Sequence, residues 1–106
     1  MMLTQDEVEI MQAKHILWQH DEPGGERADF SGCHLLGMDF QNMLFNGAIF
    51  QGAVFENANL TGAGMCSCDF SKARFIRCDA SDLVAEEVEL QIPYRFHTQI
   101  PQTDNL

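Results

Sequence analysis

Four cysteines, four histidines and sixteen carboxylates are the side chains of this 106-residue sequence that have chemistry to offer. Cys66-Ser-Cys68 is a C-x-C pair, with Cys33 and Cys78 further off in the chain. Thiolates at such spacing invite a metal ion. His15, His20, His34 and His97 are scattered. None pairs recognisably with a Ser or Cys nucleophile and an orienting carboxylate within reach. A catalytic carboxylate pair would need a cleft that raises one pKa. Whether any of these groups converge depends on the elements that position them.

Those elements follow a register of five from Ala28 to Asp82: ADFSG, CHLLG, MDFQN, MLFNG, AIFQG, AVFEN, ANLTG, AGMCS, CDFSK, ARFIR, CDASD. The third residues are Phe30, Leu35, Phe40, Phe45, Phe50, Phe55, Leu60, Met65, Phe70, Phe75 and Ala80. The first residues are all Ala, Cys or Met. A period of five fits neither a helix face nor an alternating strand. It fits a coil with a short flat side and a corner in each block, with the first and third residues pointing inward. Gly or Asn closes the first seven blocks, at Gly32, Gly37, Asn42, Gly47, Gly52, Asn57 and Gly62. These residues turn corners with least backbone strain. Such repetition marks a solenoid, in which each coil buries its inward face only by stacking on its neighbours.

Blocks such as ADFSG and ANLTG resemble those of the pentapeptide-repeat family, which run roughly Ala-(Asp/Asn)-(Leu/Phe)-(Ser/Thr)-Gly. The preceding KHILWQHDEPGGERADFSG is similar to the lead-in of short, prophage-type members, where a His/Trp-bearing helix and a GG-x-R-A-D junction precede the first block. The resemblance implies an all-β solenoid, a right-handed quadrilateral β-helix with four blocks per coil, so that positions twenty apart stack. The inner columns become Phe30/Phe50/Phe70, Leu35/Phe55/Phe75, Phe40/Leu60/Ala80 and Phe45/Met65/Ala85. Eleven blocks make about 2.75 coils, a body roughly 13 Å tall at ~4.8 Å per coil. Both ends of so short a stack would expose core side chains and unpaired backbone.

The flanks are expected to cover those ends within a single domain of residues 1–106. Residues 4–22 form the N-terminal segment and read as a helix to about residue 20. Thr4 and Glu7 make a capping-box pattern. Val8, Met11, His15 and Trp18, with Ile10, Ala13 and Leu17 beside them, form an apolar stripe. Pro23, Gly24 and Gly25 end the helix. Repeats are expected over 28–87 and a C-terminal capping tail over 88–106, in which Val88, Leu90 and Ile92 alternate as in a strand.

On a four-sided coil the candidate chemistry disperses. Cys33, Cys68 and Cys78 take inward first positions on three sides, and Cys66 points outward from the fourth. They are expected to be core thiols, with no metal, cofactor or catalytic site. The histidines are expected on the surface or on a helix face, His34 facing solvent. Asp39, Asn59 and Asp79 share one outer column; Asp29 and Asp69 share another, interrupted by Ile49. Such residues support corners by bonding the local backbone.

The net charge is −10, with 16 acidic and 6 basic residues. That opposes direct nucleic-acid binding and an anionic membrane partner. MMLTQDEVEI has neither the basic nor the apolar region of a secretory signal, and no apolar run reaches the ~20 residues of a membrane span, so a cytoplasmic protein is expected. Outward apolar residues are the anomaly. Leu44, Ile49 and Val54 precede the central residue in three consecutive blocks, with Val84 in the Leu44 column, and Leu36 and Ile76 follow it elsewhere. They form a candidate interaction surface, covered by the chain's own ends, by a second copy in a homodimer, or by another protein. The expected function is a non-enzymatic protein-interaction scaffold. The alternative is an acidic DNA mimic that binds a DNA-binding protein such as a type II topoisomerase, as some family members do. Residues 28–82 carry 6 acidic and 3 basic side chains, a weak charge for that role.

Overall fold

The computed structural model of the chain describes residues 2–83 and, as backbone, residues 89–90. Val84, Ala85, His97 and the side chains of the expected tail lie outside the described residues. The elements are α1 (Gln5–Gln19), β1 (His34–Leu36), β2 (Val54–Glu56), β3 (Asp69–Phe70), β4 (Arg74–Ile76) and β5 (Glu89–Leu90).

The period of five becomes a pairing period of twenty. β1, β2 and β4 form a parallel sheet in the register Leu35↔Phe55↔Phe75. Parallel bridges join Asp29↔Ile49↔Asp69, Asp39↔Asn59↔Asp79 and Leu44↔Gly64. Four ladders therefore run up the body, named here the Asp29, His34, Asp39 and Leu44 sides. β3 pairs β5 as Asp69↔Glu89 and Phe70↔Leu90. The same register thus reaches Leu90, past the expected end of the repeats at residue 87. Regular strand forms on the His34 side, where the residues before the centre are His34, Val54 and Arg74. On the Asp39 side all three are Asp or Asn, which fold back on their own backbone and leave single bridges.

Every first and third residue from Ala28 to Ala80 is buried. Phe30 and Phe50 stack at 4.7 Å with rings 1° apart, and Phe50 and Phe70 at 5.1 Å. Phe55 and Phe75 stack at 4.7 Å. Phe40 and Phe45 meet Phe30 edge-on, at 6.0 and 5.3 Å. Coil spacing thus fixes ring spacing, and such pairs add about 0.5–1.5 kcal/mol each beyond burial.

All eleven blocks end in a left-handed residue. Seven are the Gly and Asn residues named above. The other four are Ser67 (φ 59°), Lys72 (φ 60°), Arg77 (φ 50°) and Asp82 (φ 57°). That conformation costs a side-chain-bearing residue roughly 1–2 kcal/mol. At Ser67, Lys72 and Arg77 the stack imposes it, because ladders continue on both sides of the corner.

Helix α1 closes the first coil. Its capping box is complete: Glu7 N donates to Thr4 Oγ1 and Thr4 N to Glu7 Oε1. It ends in a Schellman arrangement, with Asp21 N donating to Trp18 O, Glu22 N to Leu17 O, and Asp21 at φ 53°. The chain then recrosses the helix. Gly25 lies so near that a Cβ there would meet the backbone of Trp18, 2.6 Å from its Cα. Glu26 N donates to Lys14 O. The inward face of α1 is narrower than the expected stripe. Val8 and His15 are buried and Met11 packs on the core, but Ile10 is 56% exposed and Trp18 38%.

Candidate functional surface

Backbone accounting explains what α1 does. Inside the stack, the amide before each central residue donates to the coil beneath: Ile49 to Ala28 O, Val54 to Cys33 O, Asn59 to Met38 O, Gly64 to Met43 O. The first coil has no coil beneath it, and side chains take that place. Asp39 N donates to Gln5 Oε1 (2.9 Å), and Gln5 Nε2 donates back to Asp39 O (2.7 Å). Leu44 N donates to Gln12 Oε1 (2.8 Å). Asn46 O accepts from His15 Nε2 and Gln19 Nε2, both at 2.7 Å. Arg27 Nε donates to Gly47 O (2.7 Å) and its guanidinium lies 5.5 Å from the centre of the Trp18 ring. On the His34 side, Met2 forms a parallel bridge with His34. Three glutamines and a histidine thus imitate a missing coil. Their sequence signal is the spacing of Gln5, Gln12 and Gln19, seven apart and so on one helix face.

His15 is more than a helix-face residue. It is fully buried against Trp18 and Phe45, at centroid distances of 5.1 and 5.7 Å. Ala28 N donates to its Nδ1 at 3.0 Å while Nε2 reaches Asn46 O. Those opposite roles specify the neutral ring with its proton on Nε2. Burial pushes its pKa down, the bond to Asn46 works against this, and Arg27 adds to it.

The carboxylates serve corners, as expected. Asp29 Oδ1 accepts from Ser31 N and Oγ, Asp69 Oδ1 from Ser71 N and Oγ, and Asp39 and Asp79 Oδ1 from Gln41 N and Ser81 N. Hydrogen bonds from the Ser31 and Ser71 side chains, then from their amides, hold Asp29 and Asp69 below the ordinary carboxylate value. Cys33, Cys68 and Cys78 are buried thiols and Cys66 is half-buried. The Cys68 thiol donates to Phe45 O, and burial pushes its pKa up to about 12. Among the described residues no three His, Cys, Asp or Glu side chains gather as a metal site. A shallow groove of ≈ 410 Å³ between α1 and the first coil is lined by Gln5, Glu9, Gln12, Asp39, Gln41 and Met43. It is shallow, and of its two carboxylates, Glu9 and Asp39, the latter already accepts the Gln41 amide.

The outward apolar residues divide by side. Leu44, Ile49 and Val54 stand on three different ladders. Leu44 is 50% exposed. Ile49 is half-buried between Asp29 and Asp69, and Val54 between His34 and Arg74. Leu36 (43% exposed), Val54 and Ile76 share the β1–β2–β4 side. That side also holds a polar chain absent from the sequence reading. His34 Nε2 lies 2.8 Å from Glu56 Oε1, Arg77 Nη2 donates to Glu56 Oε2 (3.0 Å), and Arg77 Nε donates to Asn57 Oδ1 (3.0 Å). The separations of 22 and 21 residues are diagonal steps between successive coils. Lys72, Arg74 and Arg77, three of the chain's six cations, stand at this side and its corners.

A family description of pentapeptide repeats, in eight copies, matches residues 26–62 and 48–82, more than half of the chain. The chain belongs to the pentapeptide-repeat family. The fold of this pentapeptide-repeat protein is accordingly the family's right-handed quadrilateral β-helix, here with an N-terminal helix. A solved pentapeptide-repeat protein from the Arabidopsis thaliana thylakoid lumen superposes with a TM-score of 0.54 at 24% identity. The alignment covers 74% of this chain and 58% of that one, so the chain spans less than two thirds of the neighbour's length. At that identity the likeness speaks for the fold alone. No curated protein matches the chain. Pentapeptide-repeat proteins are generally non-enzymatic repeats that act as protein-interaction scaffolds. Among the described residues no helix is long and apolar enough to cross a membrane.

Proposed function

We propose that this pentapeptide-repeat protein is a non-enzymatic scaffold of about 2.75 coils that binds protein through its β1–β2–β4 side. One observation carries the choice of side: Leu36, Val54 and Ile76 all stand outward on the three-stranded β1–β2–β4 side, Leu36 and Ile76 flanking Glu56 and Val54 pairing with the exposed Arg74. Apolar area edged by cations is a protein-binding composition. The partner is a second copy or another protein. The titratable groups with resolved shifts are committed to corners and to the core, which leaves an enzymatic role without a constellation.

The DNA-mimic alternative draws on the net charge of −10. Lys72, Arg74 and Arg77 interrupt the negative surface on the β1–β2–β4 side, which favours the scaffold. The test is light scattering at ~100 µM, a concentration that populates even weak dimers, with Leu36→Glu and Ile76→Glu, and affinity capture with the same variants. Loss of self-association or of a captured partner supports the assignment. Monomeric protein with a partner set unchanged by both substitutions removes this side from consideration, and inhibition of topoisomerase supercoiling would favour the mimic.

A further inference from the structure

We propose that His15 is a proton-sensitive latch: uptake of one proton from solvent by its ring releases helix α1 from the first coil.

The geometry leaves no room for a second ring proton. Nδ1 accepts the Ala28 amide hydrogen at 3.0 Å, so a proton on Nδ1 would face an N–H instead of a lone pair. Nε2 already gives its proton to Asn46 O. The ring cannot simply turn, because Trp18 and Phe45 flank it and it is fully buried. Burial is what most disfavours the charged ring. From the connection, the Arg27 guanidinium opposes it. On the helix, Lys14 is engaged outside with Glu26 at 3.9 Å, and Gln12 and Gln19 are neutral. From the coil come the apolar Phe45 ring and the Asn46 carbonyl, whose hydrogen bond favours the cation but is already made by the neutral ring. Among the described residues no carboxylate is hydrogen-bonded to the ring to stabilise it.

Protonation therefore requires the ring to reach water, and the ring leaves only if α1 lifts. The sign follows from linkage. The closed state holds His15 neutral, with its pKa below the ordinary 6.5. The open state titrates near 6.5 and binds the proton first as pH falls. The latch is at full strength above about 6.5 and weakens below it. Because one proton is bound per opening, the open-to-closed ratio rises about tenfold per pH unit in that window. Opening bares Ala28 N, Leu44 N, the Asp39 and Asn46 carbonyls and the inner faces of Phe30 and Phe45, an edge suited to pairing with another chain.

The test is amide hydrogen exchange on the full chain from about pH 7.5 to about pH 5, a range that histidine alone among ordinary side chains spans. Each rate is divided by its intrinsic rate at that pH. The Ala28, Asp39 and Leu44 amides, bonded to His15, Gln5 and Gln12, report the latch. The Phe50 amide, which donates to Asp69 O inside the stack, is the internal standard. Protection of the three reporters should fall about tenfold per unit below about pH 6.5 relative to Phe50. His15→Gln, which keeps a donor and an acceptor without titrating, should abolish the slope; His34→Gln should retain it. The same slope in His15→Gln, or none in the natural protein, overturns the proposal. If His15→Gln fails to fold, the ring resonances of the natural protein decide: a His15 pKa at or above 6.5 with the three amides still protected overturns it, and a lower one tracking their exchange supports it.

Discussion

Gln5 and Gln12 offer the sharpest test of a side-chain cap that stands in for a coil, because the same substitution should act differently at the two sites. Gln12 is an acceptor only, taking the Leu44 amide at 2.8 Å. Gln5 is both acceptor and donor, paired twice with Asp39. These exposed bonds are worth about 0.5–1.5 kcal/mol each net of water. Gln12→Ala should then cost about 0.5–1.5 kcal/mol and Gln5→Ala about 1–3 kcal/mol. Glutamate keeps the acceptor and deletes the donor. Gln12→Glu should stay within about 0.5 kcal/mol of the natural protein. Gln5→Glu sets a carboxylate oxygen against the Asp39 carbonyl and should cost at least as much as Gln5→Ala. Urea unfolding at neutral pH reads the difference, and thermal unfolding should show shifts of about 4–8 °C per kcal/mol for a domain of this size. Equal effects of the two glutamates would refute the donor–acceptor assignment and return α1 to the status of a helix that merely packs.

Four further outcomes follow from the same geometry. Phe50→Ala, in the middle of the Phe30/Phe50/Phe70 stack, should lose about 3–5 kcal/mol in urea unfolding, and Phe50→Leu only about 1–2 kcal/mol; no loss in Phe50→Leu would mean that ring stacking adds nothing. Gly25→Ala should destabilise by about 1–3 kcal/mol, because its Cβ drives into the Trp18 backbone, and no change in melting temperature would contradict that close approach. Lys72→Gly relieves a left-handed corner at φ 60° at the expense of chain entropy, so a gain of up to about 1 kcal/mol is expected and a loss would count against corner strain. Asp29 and Asp69 have carboxyls held low by their serines, so their contribution is present above about pH 4 and lost as pH falls through their folded values. Asp29→Asn with Asp69→Asn keeps the corner acceptors without titrating. It should flatten that acid limb in pH-dependent unfolding, and an unchanged limb would assign it elsewhere.

The sequence determined the coil. A period of five with apolar first and third positions fixes which side chains turn inward, and stacking then demands the pairing that the four ladders carry. The corners were legible wherever Gly or Asn stands. At Ser67, Lys72 and Arg77 the ladders on either side enforce the turn against local preference, which no local signal announces. The helix was legible from Thr4, Glu7 and Pro23, but its working face was not. Gln5, Gln12 and Gln19 read as polar residues of a solvated helix and His15 as one member of its apolar stripe, and only contact with the first coil makes them partners for its backbone. The outward residues show the same division. Leu44, Ile49 and Val54 are neighbours in sequence and stand on three sides of the body. His34, Glu56 and Arg77 are far apart in sequence and form one chain. Chain order fixes what lies inside each coil, whereas neighbours on the outer surface are set by the twenty-residue step between coils, which exists only once the coils have stacked.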